Sequence, residues 1–272
     1  MDAKYLIYKI AMRSKLDRIR KYFRSENDPF AELRKLPRYT SGSFLFQGNE
    51  IQFPDAASFT AMYEEIFFKN VYTFSSEKTS PFIIDCGANI GVSVLYFKTL
   101  YPQSEIIAFE PDKNIFNYLK KNINSFKHEN VTLINSGVWI EEKELEFHFE
   151  GADAGRIVNQ KLESNHYVDK IKVEKLSKYI GKEVDFLKID IEGAELEVLK
   201  EIEQKLHFVN NIFIEYHSFT SKTQELDVLL NLLSRNGFRY YIYSAAYIRT
   251  KPFLDKTDFL SMDCLLNICA TR

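Results

Sequence analysis

Two groups of residues in this 272-residue chain have types and spacing suited to chemistry. The first is FIIDCGANIG, Phe82 to Gly91, where an apolar run ends in Asp85 and a turn follows with glycines at positions 87 and 91 around Asn89. Glu110 and Pro111 come about twenty residues later, at the end of a second apolar run. The second group closes two later runs: Asp190 ends VDFLKID and is followed by Glu192 and Gly193, while Glu215 and His217 end NIFIEYH. Alternate residues of a strand share a face, so Glu215 and His217 point the same way.

A glycine turn between a buried strand and a helix is the usual place for a nucleotide-like ligand in an open α/β sheet. A dinucleotide fingerprint needs glycine at the third and sixth positions from Gly87, and the chain has Asn89 and Val92 there. An NAD(P)-linked oxidoreductase is therefore the weaker reading. S-adenosyl-L-methionine has no phosphates to cradle and carries an adenosine, a zwitterionic amino acid and a sulfonium. Asp85 suits the cation, and the backbone of Gly87 to Gly91 suits the amino-acid carboxylate because glycine has no Cβ. Glu110 suits the ribose hydroxyls, with Pro111 opening the next helix and the stretch around Gly137 beside the adenine.

Methyl transfer asks the protein to position an acceptor oxygen and take its proton. Asp190, Glu192, Glu215 and His217 are the candidate catalytic residues; His217 is either a structural histidine or, as the general base, required in its neutral form and shifted upward by Glu215 where the two pair. Glu192 and Glu195 also have a simpler explanation, since acids are favoured at a helix N-terminus. Lys188, alternating with Asp190, can pair with a carboxylate or reach an acceptor oxygen. The oxygen and nitrogen atoms would suit a divalent cation, but no fixed metal motif is present, so no metal is expected and hydrogen bonds to a sugar diol are the simpler assignment.

The elements that must hold these residues follow from periodicity. From Pro81 the chain alternates strand and helix: strands at 82–85, 105–109 and 131–134, helices at 92–100 and 113–126. Continuous apolar runs fit parallel strands buried on both faces. Antiparallel pieces are expected at 145–149 and 171–174 around a polar loop, 151–165. A strand in VDFLKID, a helix in AELEVLKEIEQKL, the strand NIFIEYH, a helix at 224–235 and two closing strands, FRYYIYS and CLLNICA, complete the pattern. Upstream, FLFQGNEIQFP predicts a hairpin turning at Gly48 and Asn49, Ser58 to Lys69 a helix, and Phe30 to Leu36 a short helix.

These residues resemble a known family. IIDCGANIG, FEPD, DFLKIDIEGAELEVL and IFIEYH look like the successive motifs of FkbM-type S-adenosylmethionine-dependent methyltransferases, and YEEIFFKNVYTF looks like the segment that precedes their first strand. The resemblance implies a Rossmann-like class I methyltransferase fold, a seven-stranded, mostly parallel sheet ending in an antiparallel hairpin. It also implies O-methylation of a sugar, a glycan of the polysaccharide-biosynthesis type, or another small-molecule acceptor. A non-catalytic scaffold that retains the fold is the remaining alternative.

Composition bounds the rest. A 45% hydrophobic content with 27% charged residues is that of a globular protein. Residues 1–40 hold 11 Lys/Arg against 5 Asp/Glu, and the remainder 25 against 33, so a basic arm precedes an acidic body. The division expected is a basic helical extension, 1–40, and a methyltransferase domain, 41–272, whose first part, 41–80, is a hairpin and a helix. Tyr5, Tyr8, Met12, Leu16, Ile19 and Phe23 recur at helical steps. That helix would serve as an oligomer or substrate-docking element, or touch a membrane surface peripherally, and no nucleic-acid partner is expected. Cys86, Cys264 and Cys269 lack metal or disulfide spacing and fit reduced thiols in a cytoplasm. No apolar run approaches the length of a transmembrane segment, and no signal peptide is evident.

Overall fold

The structure is a computed structural model that describes residues 28–149, 155–157, 167–245, 251, 253–254 and 261–272. The helix expected across Tyr5 to Phe23 and most of the loop 151–165 lie outside the described residues.

Runs of Ile, Val, Phe and Leu without polar interruption form a seven-stranded sheet in the order β12-β13-β11-β10-β3-β4-β5. Its strands are β3 (Phe82–Cys86), β4 (Glu105–Phe109), β5 (Val131–Ile134), β10 (Phe186–Ile189), β11 (Asn211–Phe219), β12 (Arg239–Ser244) and β13 (Met262–Thr271). The strands from β11 through β5 run parallel, and β13 pairs antiparallel with both β11 and β12. Every residue of β3 and β10 is buried, as strands covered on both faces must be. This is the α/β class I methyltransferase sheet, with its closing antiparallel hairpin. The chain leaves β3 for β4 on one side and later returns to β10 on the other, so the strand order reverses at β3 and opens a crevice beyond the carboxyl ends.

The two faces of the sheet are packed differently. One carries helix α2 (Val92–Leu100), whose residues are all buried, helix α3 (Lys113–Ser125), and the N-terminal elements β1 (Gly42–Phe46), β2 (Asn49–Phe53) and α1 (Ala56–Tyr63). It is rich in rings: Phe53 stacks on Phe59 at 4.6 Å and Tyr63 on Phe67 at 4.5 Å. Such pairs contribute about 0.5–1.5 kcal/mol beyond their burial. The other face, under α4 (Glu195–Glu201) and α5 (Leu226–Arg235), is mostly aliphatic. A second sheet, in the order β6-β9-β7-β8, comprises β6 (Gly137–Trp139), β7 (Lys143–Phe149), β8 (Gly155–Ile157) and β9 (Tyr167–Lys175), with β7 and β9 antiparallel as expected.

Several local expectations are corrected. The first hairpin turns at Gln47 and Gly48, which take φ of 50° and 82°, the pair of positive values a two-residue turn needs to match strand twist. The helix expected to run to Lys69 ends its regular part at Tyr63 and continues as one π turn, Glu64–Phe68. The helix after Asp190 stops at Glu201 and gives way to a 3-10 segment, Glu203–Phe208. Between Phe30 and Leu36 only a 3-10 turn forms, Leu33–Lys35. Pro111 does not open α3: Asp112 caps it, its carboxylate accepting from the amides of Asn114 at 2.7 Å and Ile115 at 3.1 Å, a stronger signal than proline.

Candidate active site

The site is built where β3, β4, β10 and β11 end. In the turn after β3, five consecutive amides are already committed inside the protein. Gly87 and Ala88 donate to the carbonyl of Phe109, at 3.1 and 2.8 Å, and Asn89 to Glu110 Oε2 at 3.0 Å. Ile90 donates to Asn89 Oδ1 at 2.7 Å and Gly91 to the carbonyl of Ala88 at 2.9 Å. Asn89 itself sits at φ 49°. The turn is braced from behind by Asn122 of α3, which donates to the carbonyls of Ile90 and Gln52 and accepts from the Gln52 amide.

The glycines serve this packing rather than close approach of a ligand. A Cβ on Gly87 would lie 1.9 Å from the carbonyl oxygen of Asp190, and one on Gly91 would lie 2.7 Å from Leu119. Both have φ near +90°, a conformation only glycine adopts without strain.

Glu110 is buried, and its second oxygen accepts from the Asp112 amide at 2.9 Å. Burial pushes its carboxyl up to about 8. Asn135 clasps the carbonyls of Glu110 and Pro111 at 2.9 and 3.1 Å, and a Cβ on Gly137 would come 3.7 Å from Pro111, so these residues form one wall. Asp85 was expected to face a cationic ligand directly; instead its carboxylate is fully enclosed. It accepts from Ser93 Oγ at 2.5 Å and lies 3.4 Å from the ammonium of Lys188, because the strand that carries it is buried on both faces.

Lys188 connects the turn to the second group. Its ammonium donates to the Gly87 carbonyl at 2.7 Å, contacts Asp190 Oδ2 at 3.1 Å and lies 5.8 Å from the centre of the Tyr72 ring. Of the two roles left open for it, pairing with carboxylates is the one realised. Although burial alone would push the Asp190 carboxyl up, Lys188 and His217 hold it below its ordinary value. Burial and the neighbouring Asp190 push the Glu215 carboxyl well up, and a hydrogen bond joins the two carboxyls.

His217 is buried, with Nδ1 2.9 Å from Glu195 Oε1 and 3.1 Å from the Glu215 carbonyl, and Nε2 3.3 Å from Glu192 and 3.9 Å from the Glu215 carboxyl. Burial would favour the neutral ring, but Glu195 and Glu192 outweigh it and hold the imidazole protonated well above its ordinary range. A ring in its charged form does not serve as the base, and the Glu215 carboxyl lies farther from it than Glu195 or Glu192. The close partner is Glu195, buried at the start of α4, whose Oε1 also accepts from the Gly193 amide at 2.8 Å. Asp190, Glu192 and His217 each present one donor atom, all within 4.8 Å of one another.

Two further residues escaped sequence reasoning. Glu65, on the π turn, is pushed up by burial and accepts from Asn267 Nδ2 at 3.2 Å. Asn267, fully buried on β13, stands opposite Glu215 in the ladder. The inserted residue of a π turn is a recognised mark of functional sites, but nothing in the sequence spacing announces it.

A family model described as the methyltransferase FkbM domain matches residues 85–240, more than half of the chain and all of the site except Glu65 and Asn267. The chain belongs to the FkbM methyltransferase family. Among curated relatives of this FkbM protein, Methyltransferase 1 of Beauveria bassiana is 28% identical over 179 residues, covering 57% of this chain and 72% of the relative. Methyltransferase sdnD of Sordaria araneosa is 29% identical over 205 residues, covering 62% and 79%. A crystal structure of an FkbM methyltransferase from Methylobacillus flagellatus superposes with a TM-score of 0.50 at 19% identity, covering 76% of this chain, which spans 47% of the length of that structure. Membership implies S-adenosylmethionine as methyl donor. Among the described residues of this FkbM chain, no helix is long and apolar enough to cross a membrane.

Proposed function

We propose that this FkbM methyltransferase methylates a hydroxyl oxygen of a sugar, glycan or other small-molecule acceptor. The observation that carries this reading is the contact between two unlike places. One is an acceptor-rich turn with no amide left to bind a phosphate; the other is a carboxylate pair that can take a proton. The Asp190 amide donates to the Cys86 carbonyl at 3.1 Å and Lys188 bridges the two, so a donor on one and an acceptor on the other would be neighbours.

The fit to S-adenosylmethionine rests on complementarity. That molecule is rich in hydrogen-bond donors and positive charge, while the turn and wall offer the Glu110 carboxyl and the carbonyls around it. A pyrophosphate needs free amides, and Gly87 to Gly91 have none. When bound, the cofactor supplies a methyl group on a positively charged sulfur. Glu110 would hold the ribose hydroxyls, Asn89 and Pro111 would border them, and Gly137 would lie beside the adenine. Asp85 acts through Lys188, fixing the Gly87 carbonyl and the Asp190 carboxylate. Asp190 receives the proton of the acceptor hydroxyl, with Glu215 holding it in place. Glu192, about as accessible as Asp190, is suited to a second acceptor hydroxyl.

Three free cysteines suit a cytoplasmic setting. Surface-polysaccharide precursors are therefore the first acceptors to test, by incubation with isotopically labelled S-adenosylmethionine and mass spectrometry of the products. Label on an O-methyl group supports the reading; label on nitrogen or carbon across the acceptors that react overturns it.

A further inference from the structure

The rim is rich in carboxyl groups: Asp190, Glu192, Glu195 and Glu215 stand around Lys188 and His217, with Asp85 against Lys188 and Glu65 beside Lys69 and Asn267. The orientation of that imidazole narrows what else belongs there. Both neighbours of Nδ1, the Glu195 carboxylate and the Glu215 backbone carbonyl, are acceptors, so Nδ1 carries a hydrogen whatever the state of the ring. Nε2 is the free ring nitrogen for a ligand, 3.3 Å from Glu192 and 3.9 Å from the Glu215 carboxyl.

We propose that Asp190, Glu192 and His217 form a divalent transition-metal site, with Glu195 as the outer carboxylate that orients the imidazole. Three donor atoms within 4.8 Å of one another can close on an ion at about 2.1 Å, where ligands lie about 3 Å apart when adjacent and about 4.2 Å apart when opposite. The carboxylate–imidazole–metal arrangement, with Nδ1 donating to a buried acid, is the common way a metal-binding histidine is held. Glu195 is 2% exposed and also fixed by the Gly193 amide, so it is set before any ion arrives.

A separate observation points to a ligand here. Asn267 is fully buried on the same side of the sheet as Glu215, and its Oδ1 has no hydrogen-bond partner among the described residues, while its Nδ2 is taken by Glu65. An amide oxygen without a hydrogen-bond partner, one ladder step across from Glu215, leaves a polar place for a bound water or cation on that side of the sheet. Two carboxylates and one imidazole favour Mn²⁺, Co²⁺, Fe²⁺ or Zn²⁺ over the all-oxygen preference of Mg²⁺ and Ca²⁺. Three protein ligands leave positions open for an acceptor oxygen, which a bound cation would make easier to deprotonate. That role rests on the hydroxyl-methylation reading; the binding of the ion does not.

The test is titration of the metal-free full chain with Mn²⁺, following the loss of the free-ion electron paramagnetic resonance signal, with S-adenosylhomocysteine affinity measured on the same samples. One Mn²⁺ per chain is expected, bound at least tenfold more tightly than Ca²⁺, with nitrogen coupling from an imidazole in the pulsed spectrum. Glu192→Gln, which keeps the shape of a partly exposed side chain and removes its charge, should weaken Mn²⁺ at least tenfold while S-adenosylhomocysteine affinity stays unchanged. His217→Ala should remove the nitrogen coupling, and Glu195→Gln should weaken Mn²⁺ tenfold to a hundredfold. No Mn²⁺ bound by the wild type, or binding that survives Glu192→Gln undiminished, overturns the site. Loss of S-adenosylhomocysteine binding in the wild type would instead count against the methyl-transfer reading and leave the metal result standing.

Discussion

The turn after β3 and the rim after β10 and β11 touch, yet they satisfy their polar groups in opposite ways. In the turn, each amide from Gly87 to Gly91 finds its acceptor within the same turn or at the end of the adjacent strand β4, where the buried Glu110 accepts from the Asn89 and Asp112 amides. In the rim, acids from the π turn, the end of β10, the start of α4 and β11 crowd around Lys188 and His217. The turn is a finished piece of structure that receives a ligand; the rim is an unfinished charge arrangement that a ligand completes. Lys188 touches both.

The comparison breaks most severely at that residue. Lys188→Met should leave Asp85 and Asp190 buried without a cation and destabilise the fold by about 3–5 kcal/mol, read from denaturant unfolding. A loss below about 1 kcal/mol would mean that the turn and rim are held independently. The next largest effect separates them: Asp190→Asn should lower turnover about a hundredfold or more, the size expected for a positioned proton acceptor, with S-adenosylhomocysteine affinity little changed. An equal loss of cofactor affinity would make Asp190 part of the cradle instead.

That difference also explains how much the sequence reveals. The turn is legible because Asp85, Gly87, Asn89, Gly91 and Glu110 fall within two consecutive strand ends, and strand register places them side by side. The β-strand core and the order of the parallel elements are legible for the same reason, since apolar runs and helical periods are local signals. The rim is not. Glu65 reaches it only because a helix ends in a π turn, and Asn267 only because β13 pairs with β11 more than fifty residues away. Glu195 looks like an ordinary helix-start acid until His217 is found against it. Even within the turn, the reason for Gly87 is not local, because the atom that fills the space is the Asp190 backbone oxygen, about a hundred residues on.

A smaller effect sharpens the contrast through pH. Glu110 is raised to about 8 from an ordinary carboxyl value by burial, so in the ligand-free fold it binds a proton that the unfolded chain releases near pH 4.5. The sign is therefore negative: its contribution to stability falls as pH rises between about 4.5 and 8. Ribose hydroxyls favour the charged form, so S-adenosylhomocysteine affinity should rise about tenfold from pH 7 to its plateau above pH 8. Glu110→Gln should flatten that rise in calorimetric titrations. A rise that persists in the variant would assign the titration to the rim.

The account stands most directly on whether the turn takes a donor-rich, phosphate-free cofactor through Glu110. Calorimetric titration of the full chain with S-adenosylhomocysteine and with NAD decides it. Micromolar binding of S-adenosylhomocysteine, no heat from NAD, and a weakening of about 1–3 kcal/mol on Glu110→Ala are predicted, the size of leaving buried donors unpaired. Tight NAD binding without any response to S-adenosylhomocysteine would contradict it.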